Sequence, residues 1–146
     1  MAFQVEPNTI RWKMHFASPP SKLYDALNTA SGRASFWAES AIERDNQIEF
    51  RILNYEPFNG RIVRREPPGL FTLDYFGSVV EFILVSDGAG GTDLTLTASE
   101  VDESIRMEMV AGWVSVLMAL KGAVDFGVDL RNHDPRRSWV QGYADN

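Results

Sequence analysis

The chain has 146 residues, 45% of them hydrophobic and 12% aromatic, which is enough to bury a core and excludes a wholly disordered polypeptide. It contains no cysteine, so disulfide frameworks, thiolate metal sites and cysteine nucleophiles are excluded as well. Lys and Arg number 14 against 20 Asp and Glu, a net charge of −6, which is the wrong sign for general binding to nucleic acid or to an anionic membrane.

The first ten residues include Glu6, Pro7 and Asn8, which no signal-peptide apolar core tolerates. From Ile10 to Ala17 the pattern alternates, with Trp12, Met14 and Phe16 on one face and Arg11, Lys13 and His15 on the other, as expected of a half-buried strand. Ser18-Pro19-Pro20 stops it, and Ser21 to Asn28 reads as a short helix. Gly32 is expected to break that helix, with a second short piece at Ala34 to Trp37.

From Ile42 to Ala98 the pattern is one of strands and turns. Phe50, Phe71, Tyr75, Phe82, Leu94 and Leu96 alternate with polar residues. The turns fall at 43–47, Glu56–Gly60, Pro67-Pro68-Gly69, Gly77 and Asp87–Gly91. The last of these is followed by a strand rather than a helix, which argues against a phosphate cradle.

The period then changes. Met109, Val110, Trp113, Val116, Leu117, Leu120 and Val124 share one wide helical face. A helix is predicted from about Glu103 to Leu130, with Asp102 as its N-cap. Glu108, Lys121, Asp125 and Asp129 interrupt the stretch, so it is not expected to span a bilayer, and the expected location is the cytoplasm. Gly112, Gly122 and Gly127 either permit close packing of the helix or leave room for a ligand. The tail, 131–146, is polar, with Trp139 and Tyr143 as isolated aromatic residues.

The order β-α-α-β6-α describes a single α+β domain over 1–146. A curved antiparallel sheet wraps around the long C-terminal helix, leaving an apolar cavity between them. Several segments resemble one known superfamily. Pro20–Leu27, Phe36-Trp37, the hairpin of Gly60–Val63 and Pro67–Leu73, Gly90–Leu96, and Gly112-Trp113 with Leu117, Leu120 and Lys121 are similar in sequence and order to START-like, birch-pollen-allergen-like (SRPBCC) proteins. The resemblance is strongest to homologues of the activator of heat-shock-protein-90 ATPase and covers roughly Ile10 to Leu130. It implies a helix-grip fold with a hydrophobic pocket, and functions ranging over ligand binding, polyketide cyclisation, ligand sensing and co-chaperone action.

The candidate ligand-binding residues are Trp37, Phe50, Phe71, Tyr75, Phe82, Trp113 and Leu117. They are expected to converge between sheet and helix, with Tyr75 or Trp113 as the polar handle. Met109 and Met118 are flexible enough to fit an irregular ligand. His15 is expected on the surface, and His133 is expected to cap the end of the long helix. No catalytic constellation and no metal or cofactor site is expected, although an inward-facing Asp74 or Glu81 would alter that reading. The expected partner is a small apolar or aromatic ligand. The alternatives are a cyclase- or hydrolase-like enzyme using the same cavity, and a chaperone-binding module. A homodimer is expected as well.

Overall fold

The computed structural model describes residues 3–146. Among them, β1 (Ile10–Phe16) leads to α1 (Pro20–Asn28) and α2 (Ala30–Ala34). Six strands follow: β2 (Ser40–Arg44), β3 (Gln47–Arg51), β4 (Phe58–Glu66), β5 (Leu70–Tyr75), β6 (Ser78–Ser86) and β7 (Thr92–Ser99). The last helix is α3 (Arg106–Phe126), and a short 3₁₀ turn spans Trp139–Gln141.

The strands form one antiparallel sheet in the order β1-β7-β6-β5-β4-β3-β2. Tight turns set its registers. Asp45 and Asn46 (φ 52° and 61°) close the β2–β3 hairpin, and Phe76 and Gly77 (φ 48° and 77°) close β5–β6, each a pair of residues in the left-handed region. The expected polar turn at 43–47 narrows to these two residues because Glu43 and Arg44 pair with β3. The loop expected up to Gly60 is also shorter, because Phe58 to Gly60 already belong to β4. At Gly60 a Cβ would come within 2.6 Å of the Asp74 carbonyl oxygen, so the close approach of β5 requires glycine there.

Gly32 does not break the helical region. It sits inside α2, where the Thr29 hydroxyl accepts from its N–H at 3.0 Å as an N-cap. A Cβ at Gly32 would lie 2.6 Å from the backbone of Ala26, so its bareness lets α2 abut α1. The helix expected at Ala34–Trp37 is therefore shifted towards the N-terminus.

α3 is shorter than its apolar pattern. Its N-cap is Ile105, because the Asp102 carboxylate instead accepts from the N–H and hydroxyl of Ser104 in a local turn. It stops at Gly127, whose left-handed φ of 66° lets its N–H return to the Ala123 carbonyl. α3 is long and apolar enough, by length and composition, to cross a membrane. Here it lies in the grip of the sheet, with Trp113, Leu117, Leu120 and Val124 buried in one core with Phe50, Leu73 and Leu96. That burial is what a core helix of the fold shows.

Side-chain bonds fix its direction against β1. The Trp12 indole donates to the Val110 carbonyl at 3.3 Å, and the Lys121 ammonium donates to the His15 carbonyl at 2.6 Å. The buried Asp125 carboxylate accepts from the N–H groups of Ala17 and Ser18 and from the Ser18 hydroxyl.

Candidate functional site

Between the far end of the sheet and the first half of α3 lies a cleft of about 290 Å³. Three large rings form part of its wall. Trp37 comes from the turn after α2, Tyr75 from the end of β5 and Trp113 from α3. Their ring centroids are 5.1 to 6.0 Å apart, and the Trp37 indole N–H donates to the Tyr75 hydroxyl at 3.2 Å. Aromatic faces and edges at these spacings add to the stabilisation from burial alone. Burial raises the Tyr75 phenol well above its ordinary pKa, outweighing the opposite pull of the Trp37 hydrogen bond, so it stays a neutral hydroxyl.

The other candidates fall elsewhere. Phe50, Phe71, Phe82 and Leu117 are not on the cleft wall and are almost wholly buried in the core. Phe50 and Phe82 pack against Trp37 at 5.0 and 5.8 Å and brace it, but do not face the opening. They alternate on the same inward face of the sheet as Tyr75, and period two reports the face of a residue without its depth. Met109 joins the wall, whereas Met118 is 47% exposed on the outer side of α3. Asp74 pairs with Arg61 at the surface, and neither it nor Glu81 reaches the cleft.

Tyr55, Phe76, Ile105 and Trp139 also line the cleft and were not among the sequence candidates. Tyr55 and Ile105 lie in loops with no period to reveal their facing. Gly112 faces the open side. A Cβ there would meet only Trp139, at 3.9 Å. This is the ligand-room reading of the helix glycines. Gly122 follows the packing reading, with Leu130 2.8 Å from where its Cβ would stand, and Gly127 serves as the helix C-cap.

The tail forms the remaining wall. Beyond Gly127 the chain turns back, and Arg131 donates to the carbonyls of Ala34 and Ala38 at 2.6 and 2.8 Å. His133 does not cap the helix, which ends at Phe126. Its two ring nitrogens lie 2.7 Å from Glu39 and 2.7 Å from Asp129. A carboxylate at each nitrogen favours the charged form of the ring and raises its pKa. The Asn54 amide then holds Pro135 and the buried Ser138, and Trp139 reaches Glu108 on α3. His15, by contrast, is exposed beside Asp93 and Asp87.

A curved antiparallel sheet gripping a long C-terminal helix, with an apolar cleft beside that helix, is the helix-grip fold of START-like, birch-pollen-allergen-like proteins. Among solved structures, the chain is similar to protein SSP2350 from Staphylococcus saprophyticus, at 25% identity and a TM-score of 0.73, covering 84% of this chain and 96% of that one. It is similar to an Aha1 dimer from Colwellia psychrerythraea at 20% identity and a TM-score of 0.73, covering 82% and 97%. A third is DynU16, from the dynemicin biosynthetic locus, at 18% identity and a TM-score of 0.70, where the match covers 85% of this chain and 49% of that one. No protein-family model matches the chain, and no curated protein matches it.

Proposed function

We propose that the protein binds a small apolar or aromatic molecule in the cleft between the sheet and α3. The observation that carries this reading is the apolar cleft of about 290 Å³ walled by the rings of Trp37, Tyr75 and Trp113. An apolar concavity with few polar groups suits recognition by shape, with aromatic faces stacking on a flat ligand. The helix-grip neighbours support the fold, and DynU16, from a biosynthetic locus, is compatible with a ligand of this kind. Native mass spectrometry of the purified protein, followed by titration with a polarity-sensitive aromatic dye, tests the reading. A co-purified small molecule or saturable one-to-one dye binding is expected. Neither adduct nor saturable binding overturns it.

We also propose that two copies associate in the cytoplasm. The structure similar to this chain from Colwellia psychrerythraea is described as a dimer. On the outer face of α3, Met107, Val114 and Met118 are exposed at spacings of seven and four residues, an apolar stripe that a second copy would cover. Light scattering of the wild type and of Met118→Glu is the test. A dimer that the substitution dissociates is expected, and a monomer mass for both proteins removes the proposal.

A further inference from the structure

The polar groups around the cleft are not equally free. Glu39 is engaged by His133, Glu108 by Trp139, and the Ser115 hydroxyl by the Ala144 carbonyl. Arg131, the cation on the wall, directs its guanidinium to two carbonyls and to Asp129. Tyr75 differs. Its oxygen accepts from Trp37, and among the described residues its own proton has no acceptor. A buried phenol with an unused O–H is one hydrogen bond short, which is costly unless a ligand supplies the acceptor.

We infer that the cleft selects a flat aromatic molecule carrying a neutral oxygen acceptor, such as a ring carbonyl, which takes a hydrogen bond from the Tyr75 hydroxyl. The inference rests on the reading of the cleft as a small-molecule site and adds the chemistry of what fills it. Three observations support it. Tyr75 and Trp37 both stand on the wall, so the hydrogen-bonded pair borders the space that a ligand fills. The Trp37 N–H bonded to the Tyr75 oxygen polarises the phenol and makes its O–H the stronger donor. The charge at the mouth disfavours an anion: Glu108 lines the cleft with a neutral indole as its partner, and the guanidinium of Arg131 is engaged elsewhere. A carboxylate ligand would meet that charge without a free cation to pair with.

The test uses three probes of one shape: 9-fluorenone, which carries a ring carbonyl; fluorene, which lacks it; and fluorene-9-carboxylate. Affinities of the full chain and of Tyr75→Phe are measured by equilibrium dialysis. Wild type is expected to bind fluorenone about five- to tenfold more tightly than fluorene, the range of one neutral buried hydrogen bond, and to bind the carboxylate most weakly. In Tyr75→Phe the fluorenone preference is expected to fall to about unity; the Trp37 N–H loses its acceptor in that variant, so fluorenone affinity is read as a ratio to fluorene affinity in the same protein. Infrared spectra of bound fluorenone give a direct second reading in wild type, where the carbonyl stretch is expected to move to lower wavenumber. That reading stands even if the variant does not fold.

Equal wild-type affinity for fluorene and fluorenone, or an unshifted carbonyl stretch, overturns the inference and leaves the cleft as a ligand site. A preference that survives in folded Tyr75→Phe removes Tyr75 as its source. Tightest binding of the carboxylate overturns the neutral-acceptor assignment. Failure of all three probes to bind wild type overturns the cleft reading itself.

Discussion

The indole N–H of Trp139 donates to the Glu108 carboxylate at 2.9 Å, joining the C-terminal tail to the first turn of α3 at the mouth of the cleft. Helix and sheet alone leave this side of the cleft open. The tail, pinned at Arg131, His133 and Ser138, forms its last wall.

Removing that anchor should loosen the wall without unfolding the grip. Trp139→Ala loses both the ring contact over Gly112 and the bond to Glu108, a combined cost of about 1–3 kcal/mol to tail docking. The expected result is faster dye association and dissociation in stopped-flow fluorescence, with a melting temperature changed little. Unchanged rates would show that the tail does not limit entry.

Gly112 gives the complementary experiment. A methyl group there meets only the edge of Trp139 at 3.9 Å, so Gly112→Ala should raise stability by about 0.5–1 kcal/mol through helix propensity. A larger side chain at the same point projects into the cleft. Gly112→Leu should fold and lose most dye affinity, read by thermal denaturation and dye titration on the same samples. Retained affinity in Gly112→Leu would place the ligand elsewhere.

Asp125 ties α3 to the β1–α1 junction. Burial pushes its pKa up, but the Ala17 N–H, the Ser18 side chain and the Lys121 ammonium outweigh that and hold it below the ordinary value of 3.8. A depressed carboxylate contributes stability that is present above pH 3.8 and is lost as pH falls through the lower folded value. Asp125→Asn replaces an acceptor-only group with one that also carries donors, opposite N–H groups that are donors themselves. It should cost about 2–4 kcal/mol in urea denaturation at neutral pH and flatten the acid limb of the stability curve.

His133 acts in the opposite direction of pH. Its hydrogen bond to Asp129 raises its pKa above 6.5, desolvation works against this, Glu39 adds to it, and Arg131 opposes it. The stability it contributes is full below pH 6.5 and is lost as pH rises through the raised folded value. Amide exchange in the tail should therefore quicken as pH rises above 6.5, beyond the intrinsic base-catalysed increase. In His133→Gln that excess should vanish. An excess of equal size in both proteins would exclude His133 as the group responsible.

Much of the architecture is legible in local pattern. The alternation of Ile10–Phe16 and the residues around Phe71, Phe82 and Leu96 exposes period two, and the change at Met109 exposes the helix. These patterns depend only on which side of an element meets water, so neighbours in sequence suffice to reveal them. Helix ends are less legible. The apolar residues Val128 and Leu130 continue the pattern beyond α3, yet Gly127 turns the chain and Leu130 packs back on Gly122.

The sequence by itself determined the strand and helix faces, the turns at Gly77 and Asp87–Gly91, and an inward aromatic set containing Trp37, Tyr75 and Trp113. Only the tertiary structure decided which members of that set line the cleft and which, like Phe50 and Phe82, stand behind it. The same holds for the tail, where Trp139, His133 and Arg131 meet α3, Glu39 and the α2 carbonyls across 31 to 97 residues of chain. Local periodicity carries the inside–outside distinction because hydration acts residue by residue. Depth within a core and contact between distant segments arise only when the sheet curves and the elements pack, so no local pattern encodes them.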